Sequence, residues 1–397
     1  MAREGVDGVA PVIDLGSMSS AFPLTAVEQI LEQTGRMSLR KRKLPAYLVT
    51  YMVIALGLMA SEGAREVLRH LLDRFRERQG WPGELASEAA ITKGRQRLGV
   101  EPLRRLYETF VRPIATRAIK SAWFAEHWRI VSLDGTTLCA LDTAENEKRF
   151  GRPAASRGRS AWPQVRLVAL LENGTRVLFA AALDAYRVAE TVLARRILSR
   201  LEPGMLCLAD RGFYSYSLWT AAVATGADLL WRVQKGIRLP ELQRLADGSY
   251  LSEIRPRGRG RKRESITVRV VPFTVTVKGR SEAYRVITTI LDPLRAPALD
   301  LARLYAARWT IETAFRELKV RQRDRALLLR SKLPDLVEQD VYGLLLAHFG
   351  VRQIMCQSAH QADLEPAELS FDHALHVVIR RLPEMVAFSP SGQAALP

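Results

Sequence analysis

Across the first third of the chain, apolar positions recur at helical spacing. Leu24 to Gly35 is amphipathic. Leu44 to Ala60 is apolar almost throughout but contains Pro45, Thr50 and Gly57. It is short for a membrane span and reads as a buried helix. Ser61-Glu62 can cap a helix that carries Val67, Leu68, Leu71, Leu72 and Phe75. Gly80-Trp81-Pro82-Gly83 breaks the chain, and Ser87 to Leu98 and Glu101 to Ala118 read as further helices. Residues 1 to 20 look weakly structured.

At Trp123 the period changes. Trp128 to Leu133 reads as a strand, and Thr136 to Leu141 as its hairpin partner. Val165 to Leu171 and Arg176 to Leu183 follow as strands, with Glu172-Asn173-Gly174-Thr175 as the turn between them. Glu190 to Leu201 predicts a helix, Met205 to Ala209 a strand, Ser215 to Thr225 a helix and Asp228 to Val233 a strand. The order predicts an α/β core around a mixed sheet. After Gln234 the alternation stops, and Tyr250 to Ile254, Ile266 to Val277 and Ala283 to Leu291 are β-like. From Ala298 helices resume to about Met355, and a last helical segment covers Phe371 to Leu382. The boundaries expected are a helical domain over 1–120, a first core part over 121–233, a β-rich insertion over 234–297, a second core part over 298–355 and a helical tail over 356–397. No internal repeat is present.

Composition narrows the function. The 397 residues are 48% hydrophobic, and 59 Lys and Arg against 42 Asp and Glu give a formal charge of +17. Such an excess favours a polyanionic partner, of which nucleic acid is the commonest; a solvated basic surface is the plainer alternative. The most basic stretch is Arg255-Pro256-Arg257-Gly258-Arg259-Gly260-Arg261-Lys262-Arg263, whose Gly and Pro suit a flexible hairpin tip. A second cluster is Arg40-Lys41-Arg42-Lys43, and Ile91 to Arg97 reads equally as a helix that meets DNA or as a solvated helix face. The three cysteines and six histidines form no disulfide framework and no zinc-ligand spacing. No P-loop and no GxSxG elbow occur, so neither a nucleotide cofactor nor that class of hydrolase is expected. Glu4, Asp7 and Asp14 near the N-terminus do not fit a signal peptide. A soluble cytoplasmic protein without a membrane partner, associated with the nucleoid, is expected.

Three acidic residues stand out by context. Asp134 follows the apolar run Val131-Ser132-Leu133, and Asp210 follows Cys207-Leu208-Ala209. Both emerge at the carboxyl edge of predicted strands, where α/β sheets hold ligands. Taken singly, each is also an ordinary Asp-Gly or Asp-x-Gly turn former. The third is Glu312, on a helix expected from Ala302 to Val320. At roughly 100° per residue, Tyr305, Arg308, Glu312 and Lys319 share a face about 60° wide, and Glu317 falls about 120° from Tyr305 on another. An exposed helix with an Arg308–Glu312 ion pair is the plainer reading. Three carboxylates without a His/Cys cluster suit Mg²⁺ or Mn²⁺ rather than Zn²⁺. Two such ions about 3.5–4 Å apart serve phosphodiester chemistry.

The segment Tyr305-Ala-Ala-Arg308-Trp-Thr-Ile-Glu312, followed by Lys319, has the spacing Y-x2-R-x3-E-x6-K. It resembles the signature of the DDE transposases of bacterial insertion sequences, in the insertion sequence 4 group. Leu133-Asp134-Gly135-Thr136-Thr137 with Asp142 to Asn146 and Phe150-Gly151, Leu208 to Phe213, and Asp247-Gly248-Ser249-Tyr250 are similar to the same family. The resemblance implies an RNase H-like mixed-sheet core, interrupted by a β-rich insertion and preceded by an all-helical domain that reads the ends of the element. It implies that Asp134, Asp210 and Glu312 bind the metal, Mg²⁺ with Mn²⁺ able to substitute and two ions in all. It implies that Tyr305, Arg308 and Lys319 hold the phosphate backbone, a role suited to charged donors. Arg255, Arg257, Arg259, Arg261, Lys262 and Arg263 would reach flanking DNA. Double-stranded DNA, at element ends and target, is then the partner, with a homodimer assembled on it. Some members excise through a DNA hairpin, with a base flipped onto an aromatic residue. Trp231 or Trp309 could serve, yet each reads first as a core residue and the role is left unassigned. A repurposed end-binding repressor and a general RNase H-like nuclease are the alternative functions.

Overall fold

The structure is a computed structural model and describes residues 21–38, 44–59, 62–79, 85–155, 158–159, 162–256, 265–277, 280–319 and 328–381. The expectations for residues 1–20, Arg40 to Lys43, Ser61, Gly80 to Gly83, Arg257 to Arg263 and the tail after Arg381 lie outside the described residues. The chain divides into two compact units, one of residues 1–110, 114–119 and 342–397, the other of 111–113 and 120–341.

The first unit is helical throughout its described residues. It begins with α1 (Leu24–Gln33), α2 (Ala46–Leu58), α3 (Ala64–Gln79), α4 (Glu88–Leu98) and α5 (Glu101–Phe110). Helix α2 starts at Pro45 and is buried on nearly every side, as its continuous apolar text requires. No described helix is long and apolar enough to cross a membrane. Ser87 caps α4 by accepting from the Ala90 N–H at 3.3 Å. Ile91, Gly94, Arg95 and Leu98 turn inward, leaving Thr92, Lys93, Gln96 and Arg97 exposed. Helix α5 stops at Phe110 rather than at Ala118, because Pro113 lacks the N–H that a continuing helix needs.

The second unit is built on a single eleven-stranded sheet. Strand β1 (Trp128–Ala140) is followed by α6 (Ala144–Phe150), then β2 (Gln164–Glu172) and β3 (Val177–Ala185). Helix α7 (Glu190–Ile197), β4 (Met205–Ala209), α8 (Tyr216–Val223) and β5 (Asp228–Arg232) complete the core alternation. The insertion supplies β6 (Tyr250–Ile254), β7 (Ile266–Val277) and β8 (Arg280–Thr288). The order is β3-β2-β1-β4-β5-β8-β7-β6, with Gln243–Arg244 at the far edge. Only β1, β4 and β5 run parallel to one another along this path. The insertion is therefore an extension of the core sheet, joined through antiparallel β8 to β5.

The expected hairpin at Asp134-Gly135 is corrected. Trp128 to Ala140 is one continuous strand, paired with β2 from Val131 to Cys139. The Asp-Gly pair does not turn because its ladder with β2, Asp134 opposite Ala169 and Gly135 opposite Val168, holds the backbone extended.

Helix α9 (Ala298–Tyr305) leads through a 3₁₀ turn (Ala306–Trp309) into α10 (Thr310–Lys319), and α11 (Pro334–Gln361) and α12 (Phe371–Arg381) follow. The single helix expected over Ala302 to Val320 is thus interrupted. Trp128, Ile130, Leu206, Leu208 and Leu230 of the sheet form one core with Leu301 and Tyr305 of α9.

An ion pair whose arginine is fully buried fixes where α9 begins. Arg269 of β7 is fully buried and pairs with Asp247. Its Nε donates to Ser249 Oγ at 2.8 Å and its Nη1 to the Ala296 carbonyl at 2.7 Å. Asp247 also accepts the Ala298 N–H at 2.8 Å, satisfying a donor of the first turn of α9. Burial opposes the charge on Asp247, but the hydrogen bonds from Ser249 and Ala298 and the Arg269 guanidinium hold its carboxyl below the usual range. Removing one partner of a buried pair strands the other charge, a cost of about 3–5 kcal/mol. Asp247→Ala is therefore expected to lower the denaturant midpoint by that equivalent without changing the slope; an unshifted midpoint would refute the role of the pair.

Candidate active site

The register of the parallel strands builds the site. Leu133 of β1 lies opposite Ala209 of β4, so Asp134 and Asp210 follow side by side. Strand β4 ends there, while β1 runs on to Ala140. Among the described residues, that edge of β1 is next paired at Cys139, by Leu328 in parallel.

Asp134 is mostly buried. Its Oδ1 accepts the Gly135 N–H at 2.8 Å, and its Oδ2 accepts from Arg308 Nη1 at 2.9 Å. The other Arg308 terminal nitrogen stands 3.7 Å from Glu312 Oε1, so one guanidinium spans two carboxylates. Arg308 is 5% exposed and lies over the Trp309 ring at 4.7 Å. Its Nε is buried without a hydrogen-bond partner among the described residues, a donor left without an acceptor.

The 3₁₀ turn that carries Arg308 is itself held. Asn173, in the β2–β3 turn, donates to the Ala307 carbonyl at 2.6 Å and accepts from Ser132 Oγ at 2.9 Å. Ser132 stands two residues before Asp134 on β1, so one side chain ties the Arg308 turn to the strand that bears the first aspartate.

Asp210 has different partners. Tyr305 Oη donates to Asp210 Oδ1 at 3.2 Å. Arg232, the last residue of β5, stands 3.7 Å from the same oxygen and 3.3 Å from Glu282, with its guanidinium 3.7 Å over the Tyr284 ring. Burial pushes the Tyr305 phenol up, and the Asp210 charge adds to it, so it remains a donor.

Lys319 follows Glu312 by two helical turns, about 10 Å along the axis. It is half-buried near Cys139, and burial lowers its ammonium from the usual lysine range. Glu317 points elsewhere and pairs with Arg176 at 3.1 Å. The structure therefore gathers Asp134, Asp210, Tyr305, Arg308 and Glu312 at one sheet edge and sets Lys319 further along. Of the basic run, Arg255 is described; it is exposed and paired with Glu253. Beside it a cleft of about 840 Å³ is lined by Tyr214, Gln234, Arg238 and Arg255, among others.

Two residues were missed or misjudged from sequence. Arg232 ends an apolar strand just as Asp134 and Asp210 follow theirs, and that signal could have found it. Trp309 is 57% exposed, which corrects its reading as a core residue, whereas Trp231 is fully buried edge-on against Trp219.

The donor set suits a hard divalent cation: every acidic group offers carboxylate oxygen. Among the described residues no three acidic, His or Cys side chains are grouped closely enough to hold a metal ion as they stand. Instead the Arg308 guanidinium spans Asp134 and Glu312. Two carboxylates share one guanidinium, and a third stands at the neighbouring strand end, so the donor types are those of a hard divalent ion while the grouping is closed by Arg308.

Burial pushes the Asp134 carboxyl up from 3.8 to about 6; the Gly135 N–H and Arg308 oppose this, and the Glu312 and Glu190 charges add to it. The folded carboxyl takes a proton more readily than the unfolded one. This group therefore adds stability to the metal-free protein as pH falls from about 6 toward 4, and carries its full cost above 6. Asp134→Asn removes that cost. Metal-free thermal melts should show the variant more stable than wild type at pH 8, by at most about 3 kcal/mol, with the gain vanishing near pH 4. A variant no more stable at pH 8 would contradict the buried-charge account.

Two families match the chain: Insertion element 4 transposase N-terminal over residues 12–108, and Transposase DDE domain over residues 128–349. The Transposase InsG for insertion sequence element IS4 of Escherichia coli K12 is 29% identical over 389 residues, covering 95% of this chain and 85% of that protein. The Putative transposase InsZ of the same organism is 29% identical over 212 residues, covering 53% of this chain and 68% of that one. Among solved structures, the cryo-EM structure of the piggyBac transposase synaptic complex with hairpin DNA has a TM-score of 0.47 at 10% identity, covering 97% of this chain and 83% of that chain. The DDE match takes in more than half of the chain, from the first residue of β1 into α11, with Asp134, Asp210 and Glu312 inside it: the chain belongs to the DDE transposase family.

Proposed function

We propose that this transposase binds the terminal inverted repeats of its own insertion sequence, cuts DNA there and joins the freed end to a target. The observation that carries this reading is the pair of aspartates emerging side by side from parallel strands, with Glu312 joined to Asp134 through Arg308. As a member of its family the enzyme depends on a divalent metal and acts on DNA. Mg²⁺, replaceable by Mn²⁺, is the ion proposed, two of them held by Asp134, Asp210 and Glu312. When bound, such ions make water a stronger nucleophile and stabilise the leaving oxygen.

The chain's own residues then position the substrate. Water attacks the phosphorus at the element's end, the 3′-oxygen leaves, and a proton passes to it. The resulting 3′-hydroxyl attacks a target phosphodiester in line, and the target's own 3′-oxygen departs. Arg308, once off Asp134, has a free guanidinium edge and an unpartnered Nε for phosphate oxygens, which it can take bidentately. Tyr305 keeps Asp210 oriented and is placed to share that phosphate. Lys319 meets a phosphate further along the strand. The exposed indole of Trp309, beside Arg308, offers a flat apolar face for an unstacked base. Arg255 and the rest of the basic run, Arg257, Arg259, Arg261, Lys262 and Arg263, hold flanking DNA. Because both ends of the element must be brought together, the active assembly is a homodimer on DNA.

Asp134→Asn, Asp210→Asn and Glu312→Gln are each expected to abolish metal-dependent cleavage of a plasmid carrying the element's ends while retaining end binding in a mobility-shift assay. Normal cleavage by any one of them removes that residue from the metal site. Lys319→Ala is expected to weaken end binding and to reduce the slope of log affinity against log salt by about one phosphate contact. An unchanged slope would show that Lys319 does not touch the backbone.

A further inference from the structure

Glu317 lies off the face that carries Tyr305, Arg308, Glu312 and Lys319. At about 100° per residue it stands roughly 140° round α10 from Glu312, and there it is 8% exposed. Its partner is Arg176 of the β2–β3 turn, whose Nη1 donates to Glu317 Oε1 at 3.1 Å. The same turn carries Asn173, whose side chain donates to the Ala307 carbonyl at 2.6 Å. Ala307 stands five residues before Glu312, and Glu317 five residues after it. One turn therefore holds the segment on both sides of the glutamate. Through Ala307 it also holds Arg308, the next residue.

The turn has little freedom of its own. Asn173 is buried; its backbone N–H donates to the Ile130 carbonyl at 3.1 Å, and its side-chain oxygen accepts from Ser132 Oγ at 2.9 Å. Both bonds reach β1 within four residues of Asp134. Glu172, fully buried, pairs with Arg129 and accepts from Thr175 Oγ1 at 2.6 Å. A Cβ at Gly174 would lie 2.6 Å from Ala122 Cβ and 2.7 Å from its backbone nitrogen, so the turn is packed directly against that residue. Arg176 has φ at +58°, in the left-handed region that side chains rarely adopt. A glycine would hold this backbone more easily; the arginine supplies the side chain that reaches Glu317.

The distances that define the site lie across this cradle. Asp134 belongs to β1, whereas Arg308 and Glu312 belong to the segment the turn grips. Functional groups need to be held within about 0.5 Å of their productive places, and a 1 Å misplacement caused far from the reacting atoms can slow a reaction by about a hundredfold. Releasing either grip lets α10 shift against β1 while every group assigned to DNA or metal stays chemically intact.

We propose that Asn173 and Arg176 are positioning residues for strand cleavage: the β2–β3 turn grips the Glu312 segment on both sides of the glutamate, and so fixes Arg308 and Glu312 against Asp134. This rests on the reading of Glu312 as a residue of the site.

The test is the rate constant for cutting a plasmid that carries the element's ends, with the full-length protein in saturating excess. It is measured for wild type, Asn173→Asp, Arg176→Met and Glu312→Gln. End affinity is measured separately by mobility shift, and thermal melts fix a temperature at which every variant is folded. Asn173→Asp keeps an acceptor for Ser132 and loses the donor to Ala307; Arg176→Met keeps the length of the side chain and loses the bond to Glu317. Each is expected to cut about tenfold or more slowly at saturation, with end affinity unchanged. A merely structural role lowers the melting temperature and leaves the folded protein's rate constant at its wild-type value. That result, with Glu312→Gln inactive, overturns this inference and leaves the site reading standing. Weaker end binding with an undiminished rate at saturation overturns it as well. Normal cutting by Glu312→Gln overturns both readings. Should Asn173→Asp or Arg176→Met fail to fold, Asn173→Ala or the double variant Arg176→Met/Glu317→Met replaces it. The double variant leaves no buried charge stranded, and a wild-type rate in either replacement overturns the inference equally.

Discussion

A carboxylate that loses water as the chain packs around it needs a compensating cation, and Asp134, pushed up to about 6 by burial, is that group here. The whole site follows from how that need is met. Arg308 serves Asp134 and Glu312 at once, and Arg232, at the end of β5, stands beside Asp210. Each arginine belongs to a different element, so the site closes only when the strand register, the β5 terminus and the 3₁₀ turn after α9 are all in place. Burial still leaves Asp134 raised to about 6, which means the arrangement is held against its own electrostatics by the surrounding fold.

The segment that leads to Glu312 is secured from two directions. Asn173 fastens the 3₁₀ turn to β1, and Asp247 fastens the start of α9 to the insertion. The insertion interrupts the core in sequence, yet it carries the residue that satisfies the first turn of the helix leading to Glu312. That is a structural reason for an apparently separate β segment to stand immediately before this helix in the chain.

Much of this was legible in the residues themselves. Met205 to Ala209, the Asn173-Gly174 turn and the β segments of the insertion were marked by local period and turn chemistry, which short-range forces decide. The reading failed where a distant partner decides. Asp134-Gly135 has the composition of a turn, and only pairing with β2 keeps it extended. Pro113 was passed over because Glu101 to Ala118 keeps its apolar period across it. The 3₁₀ turn of Ala306 to Trp309 changes the helix too little to alter the periodicity, though it still brings Arg308 to Asp134. Arg232 owes its position beside Asp210 to strand order, which is not encoded by spacing from the residue it meets. For the five residues gathered at the edge, the resemblance to a known signature supplied what periodicity alone could not.

The continuity of the sheet has a consequence for scale. From β4, which ends at Ala209 just before Asp210, to β6, the path crosses β5, β8 and β7 by backbone hydrogen bonds alone. At about 4.8 Å per strand, that is a rigid span of about 19 Å. DNA rises about 3.4 Å per base pair along each strand, so the span matches five or six base pairs. The insertion is therefore a fixed extension of the core sheet: its outer strand stands a set number of hydrogen-bonded steps from the strand that precedes Asp210, and any change in strand number within it would reset that distance by a whole step.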